Sequence, residues 1–311
     1  MQNEPTPGEL ENSRVDETLA RVLPKLEEPL QRWIGEQLAR AAVEFLVFGV
    51  KQAWACLFGG LVLAGLIGTA LFWPEGSPLA RYDFLVLYVV AIQVVFLLTK
   101  LERPREAVVI LIFHITGTVM ELFKTQAGSW RYPEESLLRL GEVPLFSGFM
   151  YAAVGSYLAR VMRVLEFRFT NYPDIRLTMA LAALIYINFF SHHYTVDIRW
   201  LLVAWCAWMY RSTWVHYRVW RWRHKMPLLL GFALVALFIF LAENLGTLAG
   251  AWLYPSQEAG WKMVSWQKYP AWFLLMILSW VLVTLVHRPK AQEAYSVSAG
   301  NKEASTFSRQ G

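Results

Sequence analysis

Two glutamates, Glu121 and Glu243, stand at the ends of long apolar runs, where hydrocarbon disfavours a carboxyl that has neither a partner nor a task. Two carboxyls held close together can supply an acid and a base, because proximity and burial push their pKa values apart. Histidines stand at related depths. His114 lies seven residues before Glu121, on the same helix face, and His192 lies four after Asn188, with His193 and Tyr194 beside it. Imidazole moves protons near neutral pH, so His114 and His192 are candidates to shuttle a proton or orient a substrate. Asn188, His193, Asn244 and Thr247 add hydrogen-bonding groups for substrate contact. A second reading stays open for each acid and base. The glutamates could be helix-end carboxylates paired with Lys124 or Arg131, and His192 and His193 could be interfacial.

Other chemistries find no support. Histidine and glutamate are acceptable metal ligands, but no HxxxH or ExxH spacing joins these residues, and no metal is expected. Without a Walker loop, GxSxG, dinucleotide fingerprint or CxxC, no cofactor is expected either. Cys56 and Cys206 both lie in apolar runs and read as small buried hydrophobes.

The two glutamates open matching peptides. Residues 121–133 read ELFKTQAGSWRYP and residues 243–255 read ENLGTLAGAWLYP, at a constant offset of 122. Glycine suits a positive φ or a close approach, the aromatics suit a membrane interface, and proline stops the segment. Trp130, Tyr132, Trp252 and Tyr254 are therefore framework residues or substrate contacts. A basic turn precedes each copy, and a proline, Pro144 or Pro270, opens the span that follows. The pattern predicts a duplicated four-helix unit, with parallel halves related by an axis along the membrane normal.

The elements that must position these groups are membrane spans. Hydrophobic residues make up 56% of 311 and charged residues 17%. Mean hydropathy is +0.34. A soluble domain carries about a quarter charged residues. The expected fold is an all-α polytopic transmembrane bundle of about eight spans, at 53–73, 84–99, 107–123, 143–159, 177–191, 200–210 with the aromatic run that follows, 226–242 and 269–286. Gly60, Ala64 and Gly68 form a stripe on the first span that would admit a neighbouring backbone. Basic residues concentrate in alternate connections, which predicts cytoplasmic N- and C-termini in a bacterial inner membrane and places Glu121 and Glu243 near the outer boundary. The net charge of +5 is spread over these loops, so nucleic acid is not an expected partner.

Residues 1–44 read as a polar segment with an amphipathic helix over Asp16–Glu44, weakened by Pro24 and Pro29, and no cleavable signal is expected. Residues 45–288 form the membrane domain, with halves at about 45–165 and 176–288, and residues 289–311 read as a disordered cytoplasmic tail.

FHITGTVMELFKTQAGSWRYP, VPLFSGFMYAAVGSYLARV, INFFSHHY, RSTWVHYRVW and AENLGTLAGAWLYP together resemble a family of bacterial membrane proteins known as domain of unknown function eight-seventeen. The resemblance covers about Phe45 to Pro289 and implies architecture without an activity. An acidic residue, Gly-x-Trp-x-Tyr and a Pro-Leu start to the next span are also similar to the heterodimer-type lycopene cyclases. That resemblance implies acidic residues acting on an isoprenoid inside the membrane. Where those enzymes carry Pro-Leu-Glu-Glu, this chain has Pro144, Leu145, Phe146 and Ser147.

The leading expectation is a cofactor-independent membrane enzyme acting on an isoprenoid or other lipophilic molecule, with Glu121 and Glu243 as acid and base. A proton-coupled transporter and a non-catalytic scaffold are the alternatives, with membrane lipid as the surrounding partner in all three.

Overall fold

The computed structural model describes residues 7–291, with side chains from Glu17 onward except Leu26; the remaining termini, most of the expected tail included, lie outside the described residues. Ten α-helices are found among the described residues: α1 (Pro7–Ile34), α2 (Glu36–Ala55), α3 (Leu57–Phe72), α4 (Arg81–Leu98), α5 (Pro104–Gln126), α6 (Phe146–Val164), α7 (Ile175–Ser191), α8 (Arg199–Tyr210), α9 (Leu228–Leu248) and α10 (Tyr269–Val286). Helices α4, α5, α9 and α10 are long and apolar enough to cross a membrane, α10 together with the short turn before it. The α2–α3 pair, bent by 68°, makes a fifth if it counts as one span. Each of the eight expected segments contains helix, but α7 has only 17 residues and α8 only 12.

Helix α10 is the axis of the bundle, touching α5, α6, α7, α8 and α9. Trp280, Ile277 and Val283 are buried on it. Helices α5 and α6 form the most extensive pair, closed by glycines rather than by large side chains. A Cβ at Gly117 would lie 2.6 Å from the Tyr151 ring, and one at Gly155 would lie 2.8 Å from Phe113. In α3 the stripe expected for close approach is not the one used. Gly60 and Gly68 face open space, whereas Gly65 receives the Tyr88 ring and Gly59 faces Ala153. The spacing of small residues shows that a close approach is possible without showing which face meets a neighbour.

The sixth expected span is corrected at its end. Helix α8 stops at Tyr210, and the aromatic run after it forms a hairpin of β4 (Trp214–Arg218) and β5 (Arg223–Pro227). β3 (Arg168–Thr170) joins it in a three-stranded antiparallel sheet. The fold is therefore mostly, not purely, helical. Val215 and Tyr217 alternate in sequence with His216 and Arg218, a period of two that fits a strand, and Val215 is the buried residue of β4. β1 (Arg139–Leu140) and β2 (Val143–Pro144) form a short second hairpin.

The N-terminal helix packs on this sheet region. α1 runs through both prolines to Gly35, whose φ of +81° turns the chain into α2. Leu23, Val43 and Val47 close over Val219, while Trp33 and Leu38 are exposed. Glu44 accepts from the backbone N–H groups of Trp220 (3.1 Å) and Trp222 (3.3 Å), joining α2 to the hairpin. Cys206 is buried as expected; Cys56, at the α2–α3 bend, is exposed.

The two ends of the bundle differ in chemistry. Near the sheet, Glu102 is paired with Arg160 and Glu106 with Arg163. At the other end lie the C-termini of α5 and α9, with the two aromatic peptides.

Candidate functional site

Glu121 is buried near the end of α5 with three donors converging on its carboxylate. Trp130 Nε1 donates at 2.7 Å, Tyr132 Oη at 2.8 Å and Tyr151 Oη at 2.7 Å. The first two come from the peptide that follows the helix; the third comes from α6. Glu243, also buried, accepts from Tyr254 Oη and Trp272 Nε1. Tyr132 and Tyr254 each lie eleven residues after their glutamate.

Backbone geometry brings each tyrosine back to its glutamate. Both helices end in a Schellman turn with glycine at positive φ, Gly128 at +69° and Gly250 at +65°. Ser129 N–H donates to the Lys124 carbonyl, and Ala251 N–H donates to the Gly246 carbonyl. The two returning peptides then pair with each other. Arg131 and Leu253 exchange both backbone hydrogen bonds at 2.9 Å, and the Trp130 ring lies 5.9 Å from that of Tyr254. The cages are therefore in contact.

Arg81, at the start of α4, locks this layer. Its guanidinium donates to Glu134 (2.6 Å), to Thr69 Oγ1 (3.2 Å) and to the Ala249 carbonyl (2.8 Å). Asp83 accepts from the N–H groups of Leu137 and Leu138 and fixes the loop before α6. Burial raises the Glu134 pKa against the pull of Arg81. Burial and the neighbouring carboxylates hold the Tyr132 and Tyr254 phenols well above their usual range, so both stay protonated as donors.

The other sequence candidates separate into groups. Neither Lys124 nor Arg131 pairs with Glu121: Arg131 pairs with Glu258 at 3.1 Å, and the Lys124 ammonium lies 2.8 Å from His193 Nε2 and 3.4 Å from His192 Nε2. His192 also sets Nδ1 2.9 Å from the Asn188 carbonyl. Asn188 itself bridges Asp197 and the Ile198 N–H. Asn244 donates to the Phe240 carbonyl and accepts from Val264 N–H, and Thr247 accepts from Trp261 Nε1. Trp252, the counterpart of Trp130, does not reach Glu243; its ring fills the space over Gly246. His114 packs on Phe149 beside Gly148, and its Nδ1 has no hydrogen-bond partner among the described residues.

Sequence reasoning missed Tyr151, Trp272 and Arg81, and read Lys124 only as a counter-ion for the glutamates. Tyr151 left one usable signal, a hydroxyl within an apolar helix that needs a partner at that depth. The others depend on which helices are neighbours. Tyr151 has a second exposure as well. Together with Phe113, Gly117, Met120, Leu275 and Leu278 it lines a shallow, mainly apolar crevice of about 10 Å³ between α5, α6 and α10. Among the described residues no group of three or more His, Cys, Asp or Glu side chains could hold a metal ion.

These features define a polytopic α-helical membrane protein with two buried carboxylates in adjoining aromatic cages. The chain belongs to the family described as protein of unknown function (DUF817), whose model matches residues 44–280. It is 41% identical over 253 residues to the uncharacterized protein YoaT of Bacillus subtilis strain 168, covering 81% of this chain and 95% of that one. Two crystal structures of MvINS are similar at low level. One is the mycobacterial Insig homolog from Mycobacterium vanbaalenii (TM-score 0.45, 14% identity), and the other a cross-linked trimer of MvINS (TM-score 0.44, 15% identity). Each likeness covers 61% of this chain and 98% of the other. The lycopene-cyclase resemblance is not carried by these matches.

Proposed function

We propose that the protein is a cofactor-independent membrane enzyme that performs acid–base chemistry on a lipophilic molecule lying against the α5–α6–α10 face. One observation carries this reading: Tyr151 lines the apolar crevice while its hydroxyl donates to the buried Glu121. That is the connection a proton relay needs. Tyr151 gives its proton to the Glu121 carboxylate as it takes one from the bound molecule, while Glu243 in the adjoining cage serves as the second acid–base group.

The halves are a duplication, supported by the identical Schellman turns and by Arg131 pairing with Leu253, its own counterpart 122 positions on. A residue that pairs with its counterpart sits on the axis relating the copies, so the two cages meet at the repeat interface. With eight crossings and the basic sheet in the cytoplasm of a bacterial inner membrane, the cages lie at the outer boundary.

The test is mass spectrometry of lipids co-purifying with the parent, Glu121→Gln and Tyr151→Phe, followed by turnover of whatever is retained. Both variants should fold and insert but lose turnover. If both match the parent, the cages are only clasps for the aromatic peptides and the protein is a scaffold.

A further inference from the structure

A cavity of about 60 Å³ lies at the sheet end of the molecule, between α1, α2 and the turn that joins β4 to β5. Two carboxylates line it, Glu27 from α1 and Glu44 from α2, and they are only 6% and 7% exposed. Each is bonded through one oxygen. Glu27 Oε1 accepts from Gln31 Nε2 and Arg221 Nη1, both at 3.2 Å. Glu44 Oε1 accepts the two hairpin N–H groups and faces His224. Among the described residues no donor reaches Oε2 of either side chain. A buried carboxylate oxygen without a donor is costly, so both oxygens require one. The charges are unequal as well. Glu27 is paired with Arg221, and Arg40, also on the wall, is held by Glu36 outside it. Glu44 has only His224, which is a cation only when protonated. One negative charge is left over.

We propose that this cavity binds a primary alkylammonium group between Glu27 and Glu44, carried by a free amine or by the ethanolamine head of a membrane lipid. It lies apart from the cages and does not depend on their chemistry. A primary ammonium has three N–H donors, enough to meet both open oxygens, and it supplies the missing charge. Val43, Trp220 and Trp222 complete the wall against the adjoining carbons, and indole favours a nearby cation. At about 10–15 Å³ for each water position, the volume holds roughly four to six, which suits a group of a few heavy atoms. A quaternary ammonium has no N–H and would leave both oxygens unmet. The position serves either source. Helix α2 turns Leu38, Phe45, Leu46 and Val50 outward and bends by 68° directly into the apolar α3, which puts the cavity at the membrane boundary.

The full chain in phosphatidylcholine nanodiscs would be titrated with ethylammonium and tetramethylammonium chlorides at constant ionic strength, with hydrogen exchange over Trp214–Pro227 as the readout. Ethylammonium should bind at least about tenfold more tightly than tetramethylammonium and slow exchange in the hairpin several-fold. Glu44→Gln keeps an acceptor for the hairpin N–H groups but should remove that preference, and Glu27→Gln should do the same. Equal binding of the two cations, or a parental preference in either variant, would overturn the site. Should Glu44→Gln fail to fold, Glu27→Gln decides alone. Replacing part of the lipid with phosphatidylethanolamine then separates the sources. Hairpin protection without added amine, lost in Glu27→Gln, assigns the lipid head; protection only with ethylammonium assigns a soluble amine. Protection in neither case would overturn the proposal.

Discussion

Arg131 and Leu253 hold each other by both backbone hydrogen bonds, each N–H donating to the other's carbonyl at 2.9 Å. This single bridge brings the peptide after α5 against the peptide after α9. Trp130 then reaches both Glu121, by its indole N–H, and the Tyr254 ring, in a T-shaped contact. Whatever disturbs one cage is therefore felt in the other.

Gly117→Ala tests the relay without touching a carboxylate. The added methyl would fall 2.6 Å from the Tyr151 ring, so the phenol must leave Glu121 or the α5–α6 pair must open. The expected result is a loss of about 1–3 kcal/mol in unfolding free energy, as overpacking usually costs. Co-purifying lipid should fall with it. Thermal unfolding in detergent and lipid analysis on one preparation would check both, and a parental value for each would show that Tyr151 is not held as described.

Arg81→Ala removes the clamp joining α3, the Glu134 loop and the end of α9. It strands a half-buried carbonyl at Ala249 and a carboxylate that is about a third exposed, so solvent recovers part of the ion-pair term. A loss of about 1–3 kcal/mol is expected, mostly from the unsatisfied hydrogen bonds. Adding Glu134→Gln should cost little more. Additive losses in this double-mutant cycle would show that the two side chains do not couple.

Glu44→Ala should loosen one end of the molecule only. The carboxylate accepts two hairpin N–H groups and lies 3.4 Å from His224 Nε2. Hydrogen exchange over Trp214–Pro227 should quicken, at a local cost of about 1–3 kcal/mol, while α10 keeps its protection. Uniformly faster exchange would mean that the sheet and the bundle unfold together.

Acid should destabilise the protein before the carboxylate range is reached. His216 in the sheet has its pKa lowered from 6.5, by burial first and then by Lys225, and His193 is lowered by burial, Lys124 and His192. The folded chain therefore binds these protons less readily than the unfolded chain. Their contribution is complete above the usual imidazole value and is lost as pH falls through the folded values. Melting temperature should drop from about pH 7 to pH 5. Much of that drop should vanish in a His193→Asn, His216→Asn double variant, and an unchanged slope would assign it to other groups.

Much of this was legible in the chain. Apolar length gave the helices, because hydrocarbon admits backbone only where its hydrogen bonds are made internally. The matched peptides marked Glu121, Trp130, Tyr132, Glu243 and Tyr254, since a carboxyl repeated beside the same aromatics is a local pattern. The strands at Trp214–Pro227 were legible in principle through their alternation, but the density of tryptophan resembled the end of a span. What only the tertiary structure decided was partnership. Trp252 and Trp130 occupy equivalent positions, yet one fills the space over Gly246 while the other donates to a carboxylate, with Trp272 from α10 serving Glu243 instead. Lys124 could have been the counter-ion of Glu121 one turn away, but it faces His193, just beyond α7. Sequence determines which groups require partners, because the cost of burying them is intrinsic to each. Which partner each receives depends on how helices distant in the chain rotate and stack, and that is settled by the packing of α5, α6, α9 and α10 as a whole.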